Sequence, residues 1–414
     1  MESYIESVDF FKGNNPEEIA QKYGTPLYVY NEDIIRDRMR KVANVITKYP
    51  YRANYSIKAN SNMSILKMAL EEGVNCDAMS EGEIKMLLKA GFPTEQIFFV
   101  SNNIDAKEMQ FAIDNDIMIS LDSLDQLRLF GSINRGGKCA VRLNPGVGAG
   151  HHEKVVTAGK KTKFAIQEDD VDEIFAIAKE YDLTICGINQ HVGSLFMDPA
   201  PFLAAVDNFL RLAKRFPDLE FIDFGGGYGI PYHKLNDEKD FDMKGFSEEL
   251  TKKLDKFVEE YGKAPLFKSE PGRFCVAEGS VILGRVNAIK NNADKTYVGT
   301  DVGMNVLVRP SMYDSWHDIE IISNGKVVKG QDKEVTVAGN ICESGDLLCK
   351  DRMLAKVTDN DLICVLDTGA YGYSMCYPYN CRMRPAEVLV CSDGSVKLIR
   401  RRETFEDLVS YFPE

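Results

Sequence analysis

The stretch ANYSIKANSNMSILKMALEEGVNCDAMSEGEIKMLLKAGFPTEQIFFV, residues 53–100, sets the fold. It opens on a β-prone run, Ala53–Ile57, and passes into helical spacing at Ser64–Glu72. A second run, Val74–Met79, leads to a second helical segment, Glu81–Ala90, and a third run, Ile97–Val100. Strand and helix in alternation is the pattern of a parallel sheet, whose neighbours need a long crossover between them. The alternation continues through the runs Ile117–Leu121, Cys139–Leu143, Thr184–His191, Phe221–Phe224 and Leu266–Ser269. Helix-like segments accompany them at Ala106–Asn115, Ser123–Asn134, Val171–Tyr181, Pro201–Phe216 and Met243–Tyr261. Eight runs in one series predict an α/β fold, a closed (β/α)8 barrel of the TIM type, rather than an open sheet.

After Gly279 the texture changes. Val, Ile, Tyr and Thr runs are broken by turn signals at Asn291–Asp294, Asn324-Gly325 and Ser392–Gly394. This predicts a second, C-terminal antiparallel β domain. The run Pro26–Tyr30 precedes the barrel and suits that domain too. The expected division is residues 36–279 as the barrel, with 1–35 and 280–414 together as the β domain.

Composition narrows the class. The chain has 414 residues, 44% hydrophobic and 27% charged, so it can bury a large core without staples. A net charge of −13 disfavours nucleic acid or an anionic membrane as the main partner. No run of about 18 apolar residues occurs, so no membrane span is expected. The acidic start, MESYIESVDFFKG, resembles neither a secretory leader nor a transit peptide. Ten cysteines are scattered without a Cys-x-x-Cys pair, which reads as reduced thiols and a cytoplasmic protein. The five histidines show no metal-ligand spacing, and no metal is expected.

Reactive groups of such a barrel sit at the carboxyl ends of its strands. Those ends are polar here: Tyr55–Asn60 with Lys58, His191–Ser194, Asp223–Gly229, and Glu270–Arg273. A lysine after an apolar run is ordinarily a surface group. Inside a barrel mouth it becomes an amine nucleophile toward a carbonyl. Glycine-rich turns after the seventh and eighth strands, with Arg273 beside them, suit a phosphate. They do not suit a dinucleotide: Ile230 and His151 stand where the two candidate Gly-x-Gly-x-x-Gly motifs need their last glycine. An amine, a stacking imidazole, a phosphate cup and a carboxylate together match the needs of pyridoxal phosphate.

On these motifs, with Gly303-Met304-Asn305, Arg309–Tyr313, Cys342–Asp346 and Gly369–Gly372, the chain resembles the barrel-type (fold-type III) pyridoxal-phosphate-dependent decarboxylases along nearly its whole length. Within that family it looks most like the diaminopimelate branch. The resemblance implies that Lys58 bonds the cofactor, that His191 stacks on its ring and that Glu270 pairs with the ring nitrogen. It implies a phosphate cradle of Ser194, Gly226, Gly227, Gly272, Arg273 and Tyr371, with Asp77 and Arg142 in support. It also implies a homodimer with shared active sites, in which Cys342 enters from the partner copy and protonates the carbanion left by CO2.

The substrate follows from the far end of the molecule. Ornithine and lysine end there in an ammonium alone, whereas diaminopimelate carries an ammonium and a carboxylate. Arg309 and Tyr313 suit the carboxylate and Glu343 the ammonium, with Arg273 and Tyr371 also within the substrate set. The implied reaction is decarboxylation of meso-2,6-diaminopimelate to L-lysine, the last step of lysine biosynthesis. The alternatives are a related decarboxylase for another basic or carrier-bound amino acid, a racemase, and a non-catalytic homologue. Retention of Lys58 and Cys342 argues against the last. Three features stand apart. Ala165 occupies a place where many members have glycine, and Asn340-Ile341 precedes Cys342 where Pro-Leu is common. Cys376 and Cys381 read as structural. The long segment Gly146–Lys163 is expected to be a lid that orders on ligand binding.

Overall fold

The structure, a computed structural model, describes residues 2–146 and 163–413. All of the expected lid except its two end residues lies outside that range. The chain divides into two compact units, Arg38–Ile230 with Phe241–Cys275, and Met1–Asp37 with Pro231–Asp240 and Val276–Glu414.

The first unit is a closed barrel of eight parallel strands. In order they are Tyr51–Ser56, Asn75–Ala78, Ile97–Val100, Met118–Leu121, Lys138–Arg142, Thr184–Asn189, Phe221–Asp223 and Leu266–Ser269. The eighth closes on the first through the pair Tyr51 and Phe267. Polar side chains start the outer helices by accepting their orphan N–H groups. Ser80 caps Glu81–Ala90, Asp105 caps Ala106–Asp114, Ser123 caps Leu124–Ile133 and Asp242 caps Met243–Tyr261. One apolar cluster contains Phe98, Val100, Ala140, Cys186 and Phe221, contributed by the third, fifth, sixth and seventh strands. The rings of Phe98 and Phe221 meet edge to face at 5.3 Å between centroids.

The second unit is a ten-stranded sheet. Leu27–Asn31 is an interior strand of it, antiparallel to Ser280–Asn292 and parallel to Ala386–Val390. Lys295–Thr300 and Lys333–Ala338 also run parallel. The sheet is therefore mixed, not wholly antiparallel. The partners Leu27–Asn31 and Ala386–Val390 lie at opposite ends of the chain, so no hairpin dictates their direction. Packed on it is a core that includes Phe10, Ile19, Leu27, Val281, Leu362 and Val388.

The short segment Pro231–Asp240 clusters with this unit although it interrupts the barrel sequence. Charge holds it there. The buried Lys234 ammonium lies 3.0 Å from Glu278 and 2.7 Å from Asp367, with the Tyr4 ring 4.0 Å away. No helix among the described residues is long and apolar enough to cross a membrane.

Phe98→Ala should leave a cavity between barrel strands and lower stability by about 3–5 kcal/mol. The check is the denaturant midpoint at unchanged m-value.

Candidate active site

The first strand ends at Ser56, and a single 3-10 turn, Ile57–Ala59, carries Lys58 over the barrel mouth. Asp77 ends the second strand but for one residue. His191 follows the sixth strand by two residues, Gly225–Gly227 follow the seventh, and Glu270 is the first residue after the eighth. These groups meet because parallel strands deliver their carboxyl ends to one face.

Their electrostatics show the crowding. Asp77 is fully enclosed; burial raises its carboxyl, the Lys58 ammonium and the Ser56 hydroxyl pull it back, and the result is about 7. Burial pushes Glu270 well above the carboxylate range, and the nearby Asp223 and Asp77 push the same way. Asp223 is itself raised to about 6 by burial, against the N–H of Gly225 and the Lys268 ammonium. His191 moves the opposite way: burial, then Lys58 and Arg142, hold it well below the usual histidine range, so the ring is neutral. Its Nδ1 accepts the Gly226 N–H at 3.4 Å, leaving Nε2 as the donor. Arg142 is lowered by burial and sustained by Glu270 and Asp122. Its guanidinium lies 4.8 Å from the Phe164 ring centroid.

Glu270 Oε1 is buried without a hydrogen-bond partner. Such an oxygen is costly to leave unpaired and fits a donor supplied by a bound group. Beside it the backbone is drawn tight. A Cβ on Gly226 would stand 1.9 Å from the Glu270 carbonyl oxygen, and one on Gly227, at φ +112°, 2.5 Å from that of Gly193. Only glycine fits both places. Arg273 Nη2 donates to Ser194 Oγ at 2.9 Å, so the cation and the hydroxyl of the expected anion cradle are already joined.

The remaining candidates belong to the other unit. Arg309 and Tyr313 bound one short helix, Arg309–Tyr313. Cys342 and Glu343 share the exposed stretch 342–345. The buried Asp346 shapes that loop by accepting the N–H groups of Ile341, at 2.7 Å, and Met304. Asn380 accepts the Cys342 N–H at 3.0 Å, the Tyr379 hydroxyl donates to Glu343, and Arg382 donates to the Asn340 carbonyl at 2.9 Å. Tyr371 stands at φ +57°. Arg309 is more enclosed than a residue quoted for its charge would suggest, at 2% exposure. Its guanidinium donates to the Tyr232 hydroxyl, lies against His317 Nε2, and donates to Ser315 Oγ.

Tyr232, His317, Tyr379 and Asn380 were not among the residues that the sequence singled out. The one available signal was His317, one of only five histidines and eight residues from Arg309.

The profile of the pyridoxal-dependent decarboxylases, pyridoxal binding domain, matches residues 32–277. A diaminopimelate decarboxylase of Methanothermobacter thermautotrophicus is 40% identical over 96% of this chain and 94% of its own length. One from Thermoplasma acidophilum is 34% identical over 98% and 97%. The crystal structure of the Helicobacter pylori diaminopimelate decarboxylase complexed with L-lysine superposes with a TM-score of 0.88, at 30% identity, covering 96% of this chain and 98% of that one. The chain belongs to the pyridoxal-dependent decarboxylase family, in its diaminopimelate decarboxylase branch. Enzymes of this branch are carboxy-lyases.

The raised carboxyls carry a stability cost with a definite sign. Asp77 titrates near 4 in an unfolded chain and at about 7 in the folded one. The folded state therefore binds this proton more tightly; the contribution is complete below pH 4 and is lost as pH climbs through 7. In cofactor-free protein, Asp77→Asn should gain on the wild type steadily between pH 4 and 7, read as the difference in urea midpoints. A constant difference across that window would contradict the assignment.

Proposed function

We propose that this chain binds pyridoxal 5'-phosphate and removes CO2 from meso-2,6-diaminopimelate to give L-lysine, as the closing step of lysine biosynthesis. One observation carries the reading. The adjacent first and eighth strands present an amine, Lys58, and an enclosed carboxyl, Glu270, whose Oε1 lacks a hydrogen-bond partner. A pyridinium N–H is the donor that such an oxygen calls for.

The surrounding groups fit that cofactor. Lys58 Nζ would hold it at its carbonyl carbon and give up that place to the substrate amine. Glu270 would keep the ring nitrogen protonated. The neutral His191 ring offers a flat face without a competing charge. Ser194, Gly226, Gly227, Gly272, Arg273 and Tyr371 would cradle the phosphate, while Asp77 and Arg142 fix the field around Lys58. When bound, the cofactor supplies an electron sink for the pair left behind as CO2 departs. Cys342 Sγ then delivers the proton that replaces the lost carboxylate on carbon. Arg309 and Tyr313 would bind the carboxylate at the far end of the substrate, with Arg273 and Tyr371 also in contact, and Glu343 would take the far ammonium. The exposed placement of Cys342 and Glu343 supports a homodimer in which this loop serves the neighbouring copy's site. The scattered free cysteines support a cytoplasmic setting.

The test is a paired assay on purified protein, following CO2 and lysine release from meso-diaminopimelate, with ornithine, arginine and lysine in parallel. Lys58→Ala should lose both the cofactor absorbance band and turnover. Cys342→Ala should retain the band and lower kcat by tenfold or more. Turnover of ornithine but not diaminopimelate would overturn the substrate assignment.

A further inference from the structure

The surroundings of Arg309 determine a protonation state without appeal to any titration. A guanidinium has only donors, so His317 Nε2, 2.7 Å from Arg309 Nη1, must accept. A backbone carbonyl has only an acceptor, so His317 Nδ1, 2.8 Å from the Leu366 oxygen, must carry the hydrogen. The ring is thus neutral and in one tautomer, clamped between a main-chain oxygen and the arginine.

Two more groups join the clamp. The Tyr232 hydroxyl accepts from the same Nη1 at 3.1 Å, and the Tyr232 ring lies under the guanidinium at 4.8 Å. The Tyr232 and His317 rings meet edge to face, their centroids 5.2 Å apart. Ser315 Oγ takes Nη2 at 3.3 Å. Tyr232 belongs to the segment anchored by Lys234 between Glu278 and Asp367. The His317 carbonyl is held by Arg352, whose guanidinium stacks 3.5 Å over Trp316. Both arms of the clamp are thus tied down at a second point.

The chemistry of these acceptors matters. An aspartate or glutamate in the place of His317 would orient the guanidinium and also cancel its charge. Imidazole, phenol and hydroxyl orient it by accepting hydrogen bonds and bring no opposing charge of their own. We propose that His317, with Tyr232, is a positioning residue that aims the Arg309 guanidinium at the distal carboxylate of the substrate. It thereby sets selectivity for amino acids carrying a carboxylate at both ends. This inference rests on the reading of Arg309 given above and adds the device that aims it.

Product and product analogue supply the test. L-Lysine keeps the distal carboxylate of diaminopimelate, whereas cadaverine has none. Holoenzyme is assayed as wild type, His317→Phe, His317→Gln, Tyr232→Phe and Arg309→Met. His317→Phe keeps a flat ring and removes the acceptor. It should raise the KM for diaminopimelate and the inhibition constant of L-lysine tenfold or more, with kcat within threefold, the cadaverine constant within twofold and the cofactor absorbance unchanged. His317→Gln, which restores an acceptor, should recover part of the loss. Tyr232→Phe gives the same pattern in weaker form and stands in if His317→Phe does not fold. Equal weakening of lysine and cadaverine, or no change in either, overturns the proposal. If Arg309→Met separates lysine from cadaverine and His317→Phe does not, the positioning role fails and the reading of Arg309 stands. If Arg309→Met fails to separate them, that reading falls and the inference with it.

Discussion

Three carboxyl groups, those of Asp77, Asp223 and Glu270, are enclosed within a single barrel, and most of the site follows from what that enclosure costs. Ionised carboxylates in a dry interior are expensive, so burial drives each upward; Asp223 adds to the rise of Asp77 and Glu270, and Asp77 to that of Glu270. The Lys58 ammonium opposes the rise at Asp77 and Glu270, the Arg142 guanidinium that at Glu270, and Lys268 that at Asp223. Lys58 and Arg142 also act on His191, and together with burial they keep its ring neutral. A chain selected for stability alone would fill these positions with valine and leucine. Their retention marks a barrel whose mouth is organised around a charged guest.

The β unit uses charge differently. Its buried ion group, Lys234 with Glu278 and Asp367, fastens a short excursion of the chain. Removing one partner of such a group is far more damaging than replacing the whole group, which suits an anchor. The Cys342 loop is instead exposed, and hydrogen bonds to Asp346 and Asn380 and from Arg382 fix its shape. Asn340, where the family commonly has proline, contributes the carbonyl that Arg382 holds.

The barrel was legible because its signals are local. Glu81–Ala90, Val171–Tyr181 and Met243–Tyr261 are helices at the residues read from spacing alone, and every barrel strand lies within two residues of its expected run. The motifs at the strand ends were legible for the same reason, since Lys58, His191 and Glu270 each stand beside a strand. What escaped was non-local. The Arg309 clamp joins residues 232, 309, 315, 317 and 366, and no periodicity links a tyrosine after a glycine-rich turn to a histidine far along the chain. The parallel pairing of Leu27–Asn31 with Ala386–Val390 escaped likewise. Ala165 stands at φ +70°, a conformation that glycine adopts freely and alanine only with strain, so the backbone there favours the residue that many members carry.

That early strand has a consequence for the making of the protein. Leu27–Asn31 emerges from the ribosome about 250 residues before Ser280–Asn292, its first partner in the sheet, exists. At roughly 5–20 residues per second this is a delay of about 12–50 s. During that time an apolar strand with both edges unpaired waits while the whole barrel is synthesised behind it. The nascent chain is then most exposed to aggregation or to capture by a chaperone. Any change that slows translation across the barrel lengthens that window without altering a single contact of the finished fold.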